Sequence, residues 1–167
     1  MVPGMRKLLS FPDPVNETSA RLVAAGVLAQ VLLFLIVRDG WLLAVLIVGF
    51  TARVATGPTL SPLGQFVARV VTPRLDVEHR FVPGPPKRFA QGIGLAFSSV
   101  AAVAWWADVP MITFAVLGGL IIAATLEAAF AVCLGCIVYR FFWECDECDD
   151  ITERLRAATA SRAAATN

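Results

Sequence analysis

The chain has 167 residues, with 14 basic and 13 acidic side chains and a formal net charge of +1, so there is no bulk electrostatic attraction to nucleic acid. It is 57% hydrophobic, against roughly 45–50% for a soluble domain, and its mean hydropathy is +0.72. The excess lies in long runs, which speaks for membrane spans and against an enlarged soluble core.

In the first 19 residues Pro, Asp, Asn and Glu precede the first apolar run, and no A-x-A site follows. This segment reads as a cytoplasmic lead-in to a retained span rather than a cleavable signal. The spans are expected at about 20–37, 41–55, 89–107 and 109–130. Arg38, Asp39 and Gly40 join the first two as a tight hairpin, and Arg53 is placed to snorkel from the end of the second. Asp108 and Pro110 divide the last two. Trp41, Trp105 and Trp106 fall beside the two short turns, where an aromatic belt belongs. After "TGPTLSP" a short interfacial helix is expected at about 61–72, with Ser61 as N-cap, Pro62 at N1 and Pro73 at its end. Phe66, Val67 and Val70 would face the membrane. "PGPP", Pro83 to Pro86, reads as a stiff lead-in to the third span. His79 is a lone, solvated loop histidine. Residues 144–167 form an acidic and then Ala-rich cytoplasmic tail, with a short helix at about 149–165.

Thirteen of the 14 Lys and Arg residues precede span one, lie between spans two and three, or follow span four. Only Arg38 lies in a turn on the other side. The positive-inside rule then puts both termini and the middle loop in the cytoplasm. The fold class is all-α: a polytopic membrane protein of four transmembrane helices, arranged as two hairpins with short interfacial helices.

The two halves resemble each other. "SARLVAAG" opens span one and "PKRFAQGIG" opens span three. Leu63 to Arg69, "LGQFVAR", matches Leu134 to Arg140, "LGCIVYR", as L-G-x-x-V-x-R at an offset of 71 residues. Two spans per half make this a parallel repeat. The repeat aligns Cys133 with Pro62 and predicts a break after span four. Without one, Val109 to Trp143 would be a straight helix of roughly 50 Å at 1.5 Å per residue. With the break, Glu127 lies near the membrane surface as a helix-end acid paired with an arginine or water.

All four cysteines fall in "FAVCLGCIVYRFFWECDECDD", as C-x2-C-x8-C-x2-C. Cys133 and Cys136 are the candidate catalytic dithiol. One thiolate attacks, the other resolves, and a helix N-terminus or a cation lowers the attacking pKa. Cys133 is the nucleophile if a helix starts there; Cys136 is, if Arg140, four residues on, supports it. Cys145 and Cys148 lie among acids, which raise thiol pKa values and suit a cation. Together Cys133, Cys136, Cys145 and Cys148 would bind zinc or an iron–sulfur cluster; otherwise no cofactor is called for. The spacing of eight is short of the roughly 15–20 usual between such pairs, and Cys136 and Cys145 on one helix would stand about 13 Å apart. Simple packing of small apolar side chains is the bland alternative.

"SARLVAAG", "SPLGQFVARVVTPRL", "PKRFAQGIGLAF" and "AAFAVCLGCIVYRF" together resemble domain of unknown function 4395, a family of small bacterial integral membrane proteins, many from actinobacteria. The resemblance covers about Asp13 to Phe142, and its most specific mark is C-L-G-C, here Cys133 to Cys136. "CDEC", Cys145 to Cys148, lies outside the family pattern. The resemblance implies an inner-membrane protein in the lipid bilayer, and association with thioredoxin-like or sulfurtransferase-like proteins. The expected function is thiol–disulfide or sulfur-transfer chemistry with such a partner. The alternatives are a non-catalytic scaffold or complex subunit, alone or as a homo-oligomer, and a cysteine metal-binding tip.

Overall fold

The structure, a computed structural model, describes residues 13–75 and 81–142. Their α-helices are α1 (Glu17–Val37), α2 (Gly40–Thr56), α3 (Pro62–Phe66), α4 (Gly84–Trp106), α5 (Pro110–Phe130) and α6 (Leu134–Phe142). The all-α expectation therefore holds. α1, α4 and α5 are long and apolar enough to cross a membrane. α2, in place of the expected span at about 41–55, is an apolar helix of 17 residues, at the lower edge of the roughly 17–25 that a bilayer core requires.

Local chemistry sets the helix ends. The Asn16 side chain accepts from the Ser19 amide and caps α1, with Glu17 in the first turn, where an acid complements the helix dipole. α1 stops at Arg38, whose φ is 58°, and Asp39 then caps α2 through the Trp41 amide at 3.0 Å. Asp108, at φ 55°, ends the second connection, and Pro110 opens α5. "PGPP" is not a separate lead-in. Gly84, Pro85 and Pro86 form the first turn of α4, where proline is tolerated because those amides have no helical partner. Lys87 and Arg88 are thereby helical. A two-residue strand β1 (Val15–Asn16) also pairs antiparallel with β2 (Phe81–Val82), a contact no sequence pattern announced.

The four long helices form a ring: α1 packs on α5, α5 on α4, α4 on α2, and α2 more lightly on α1. Val27, Val31, Phe34, Leu43, Leu46, Phe50, Leu117 and Leu120 meet the small buried face of α4, including Ala101 and Ala102. Small residues on one helix let its neighbours approach closely, which is the main source of helix association where lipid replaces water.

The short helices fold back onto the first helix of their own half, α3 on α1 and α6 on α4. Arg21 of α1 donates to the Ala128 and Ala129 carbonyls at the end of α5, both at 3.1 Å. Arg88 of α4 donates to the Val54 carbonyl near the end of α2 at 3.0 Å. Each arginine thus serves helix-end carbonyls of the opposite pair, where a cation also offsets the dipole. After Phe66 the chain widens into a π-helical turn, Val67–Val71, and then a 3-10 turn, Thr72–Arg74. Val67 is buried while Phe66, one residue before it, is exposed. The expectation that Val67 faces outward is corrected.

Candidate functional site

α5 ends at Phe130, and Ala131 adopts a left-handed conformation at φ 58°. The Ala131 and Val132 amides donate back to the Glu127 and Leu126 carbonyls, each at 3.1 Å. A left-handed residue with a Cβ costs roughly 1–2 kcal/mol, so the docking of α6 beyond it must hold the turn. The chain therefore breaks at 131–133 and restarts at Leu134. Cys133 caps the new helix: its carbonyl accepts from the Ile137 amide at 3.1 Å and its Sγ from the Cys136 amide at 3.3 Å. Ser61 has the same relation to α3, with Oγ accepting from Gly64 at 3.3 Å and its carbonyl from Gln65 at 2.8 Å. The repeat alignment is one residue out at this point, because Cys133 takes the part of Ser61 and not of Pro62.

α6 is held against α4 by close approach. A Cβ on Gly135 would stand 2.5 Å from the Ala90 Cβ and 2.6 Å from its Cα, and the Tyr139 and Phe89 rings lie 5.6 Å apart. Cys133 is buried and Cys136 half-buried, both as free thiols.

Lys87 reaches this corner from the first turns of α4. It is buried and forms an ion pair with Glu127 of α5. Glu127 is therefore paired with a lysine rather than the expected arginine. Hydrogen bonding from Cys136 holds the Cys133 thiol below its ordinary pKa, with help from the Lys87 charge and against the opposing effects of burial and Glu127. The Cys136 thiol is pushed up by its hydrogen bond to Cys133, by burial and by the Cys133 charge. The two thiols are thus shifted in opposite directions, Cys133 down and Cys136 up. Arg140 is exposed on α6, and Lys87 supplies the positive charge that acts on both thiols.

A second polar group adjoins the first. Arg53 does not snorkel outward; it is 4% exposed. Its Nε donates to Gln91 Oε1 at 2.9 Å, its Nη1 to Ser61 Oγ at 3.3 Å, and its guanidinium lies 4.4 Å from the Phe50 ring centroid, a cation–π contact that offsets part of the burial cost. Gln91 also lines a cavity of about 360 Å³ between the long helices, whose walls include Ile93, Phe97, Gly119, Ala123, Glu127 and Cys133.

The C-L-G-C turn and the helices around it fall inside a known family region. The chain matches the family described as Domain of unknown function (DUF4395) over residues 15–144. It belongs to that family. Neither curated proteins nor solved structures gave a match. The matched region takes in Lys87, Glu127, Cys133 and Cys136 and stops before Cys145 and Cys148.

Among the described residues no group of three or more His, Cys, Asp or Glu is arranged to hold a metal ion. Cys145, Cys148, His79 and the tail helix expected at about 149–165 lie outside the described residues. The structure joins Cys133, Cys136 and Glu127, which the sequence singles out, with Lys87, Gln91 and Arg53, which it does not. In sequence Lys87 and Arg53 count only as orientation charges. The available signal for Lys87 is Glu127 itself, because an acid in an apolar helix needs a cation.

Proposed function

We propose that the chain is a four-span protein of the bacterial inner (plasma) membrane, built from two parallel repeats. Its termini and the Cys133–Cys136 dithiol face the cytoplasm, and the dithiol exchanges with a soluble thioredoxin-like or sulfurtransferase-like carrier. The observation that carries this reading is the break at Ala131. It makes Cys133 the cap of α6 with its Sγ on the Cys136 amide, so both thiols share one first turn, where amide N–H groups favour a thiolate. The repeat is supported by the matching roles of Arg21 and Arg88 and of Ser61 and Cys133. The basic residues cluster at the end where α1 and α4 begin, which supports the orientation.

The exchange follows from the unequal environments. In the oxidised pair, a carrier thiolate attacks the more accessible sulfur, Cys136. The Cys133–Cys136 bond breaks and its electron pair leaves on Cys133, the lower-pKa and therefore faster leaving group. The carrier's second thiolate then attacks the mixed disulfide and releases Cys136, which takes up a proton. The carrier leaves oxidised and the membrane dithiol is reduced.

Exchange also runs in reverse: Cys136 attacks the disulfide of an oxidised carrier, one carrier sulfur leaves as a thiolate, and Cys133 then attacks Cys136 to release the carrier, so Cys133→Ser removes the thiol that resolves this adduct. Cells carrying this variant should accumulate a reductant-sensitive mixed disulfide on Cys136, visible as a mobility shift on non-reducing gels. Cys133→Ser/Cys136→Ser should show no shift. Equal adduct levels in the two variants, or none in either, would contradict the exchange reading and favour the scaffold.

A further inference from the structure

The cavity of about 360 Å³ beside Cys133 is within the roughly 300–1,000 Å³ range of small-molecule sites. Its walls are mainly apolar. Two of its wall residues, Phe97 and Ile122, are 36% and 60% exposed, and both lie in the middle of their helices, α4 and α5. If those helices cross the bilayer, the mouth opens to hydrocarbon, and only lipid-soluble molecules reach it. The polar groups gather at the other end: Glu127, Gln91 and Cys133. With its Oε1 accepting from the Arg53 Nε, the Gln91 side chain keeps its amide N–H groups as donors for a bound molecule. An apolar body with a carbonyl oxygen fits those donors.

We propose that this cavity takes the ring of a lipid-soluble quinone, which accepts electrons from the Cys133–Cys136 dithiol. The proposal rests on the dithiol reading above and names the co-substrate that the reading lacks. Cys133 faces the cavity, and Cys136, the more accessible thiol, serves the soluble carrier. The reaction balances: two S–H bonds break, one S–S bond forms, and two electrons and two protons pass to the quinone to give the quinol. Glu127, on the cavity wall and paired with Lys87, is placed to relay a proton from the thiols. Each cycle would move one pair of electrons from a soluble thiol carrier into the membrane quinone pool.

The test uses the purified full chain in nanodiscs, reduced and freed of reductant under anaerobic conditions. Decylubiquinone is added to one sample and oxidised glutathione, a water-soluble disulfide, to another. Quinone absorbance and the Cys133–Cys136 disulfide, read by mass spectrometry, are followed in both. The account predicts oxidation by both reagents. Ala123→Phe, which fills the cavity wall, should slow the quinone reaction by about tenfold or more, the equivalent of one modest contact free energy. It should leave the glutathione reaction unchanged. An azido-quinone photoprobe on the unmodified protein gives an independent readout, with labels expected on the cavity walls, within 23–27, 90–97, 119–127 and 133–138 or at Phe50. Oxidation by glutathione but not by quinone overturns the cavity inference and leaves the dithiol reading intact. Oxidation by neither overturns both. Photolabels confined to other segments also overturn the cavity inference, whether or not Ala123→Phe folds.

Discussion

Lys87 lies at the start of its helix and 40 residues from Glu127 in sequence, yet its ammonium group pairs with that acid and acts on both thiols. The sign of its effect on reactivity is simple. Cys133 has a lowered pKa, and alkylation follows the thiolate fraction, so its labelling should be half-maximal below the pH of an ordinary thiol, about 8.5. Cys136 is pushed up and should label only at higher pH. The first cause of the Cys133 shift is the hydrogen bond from Cys136, so Cys136→Ala should move the Cys133 profile upward. Lys87→Met should move it upward by less. Measuring alkylation rate against pH for the single variants checks both shifts. A Cys133 profile that stays put in Cys136→Ala would show that the two thiols are uncoupled.

At the scale of the element, the site depends on one break and one docked helix. The break is legible in the sequence, because a straight helix through Trp143 would be far too long for a bilayer and the first half marks the equivalent point with "TGPTLSP". The residue that makes it is not legible, since Ala131 is a helix former held left-handed at φ 58° by the docking of α6. That helix seats on α4 where Gly135 meets Ala90. Gly135→Leu should lift α6 from α4 at a cost of roughly 1–3 kcal/mol of overpacking. It should lower the thermal midpoint of the purified protein and raise the alkylation rate of Cys133, which is now buried. Unchanged midpoint and unchanged labelling would show that α6 does not depend on that contact. The interfacial helix of the first half matches its sequence expectation only in part. Ser61 and Pro62 fulfil their capping chemistry, because capping is local. Val67 does not face outward with Phe66, because successive helical residues point about 100° apart, so only one of the two can face the membrane squarely.

For the molecule as a whole, hydropathy and turn chemistry make the helix order readable, since a run of apolar residues ended by Arg-Asp-Gly or Asp-Val-Pro has few alternatives. The arrangement of helices around the ring is not readable. It depends on which small faces meet, and Ala101, Ala102 and Gly94 carry no distinctive sequence signal. The site inherits the same division. Its thiols stand out as a C-x-x-C motif, while its cation comes from a helix start hidden in "PGPPKR", and its amide, Gln91, lies one turn further on without any mark of its own. In the proposed reading, these parts make a dithiol at the cytoplasmic end of a membrane bundle. The most direct test is differential alkylation of native membrane vesicles of both orientations with a membrane-impermeant maleimide, before and after brief oxidation, read peptide by peptide. The account predicts that Cys136 labels only when the cytoplasmic face is outside, and that Cys133 and Cys136 become protected together on oxidation. Labelling from the opposite face, or protection of one cysteine without the other, would contradict it.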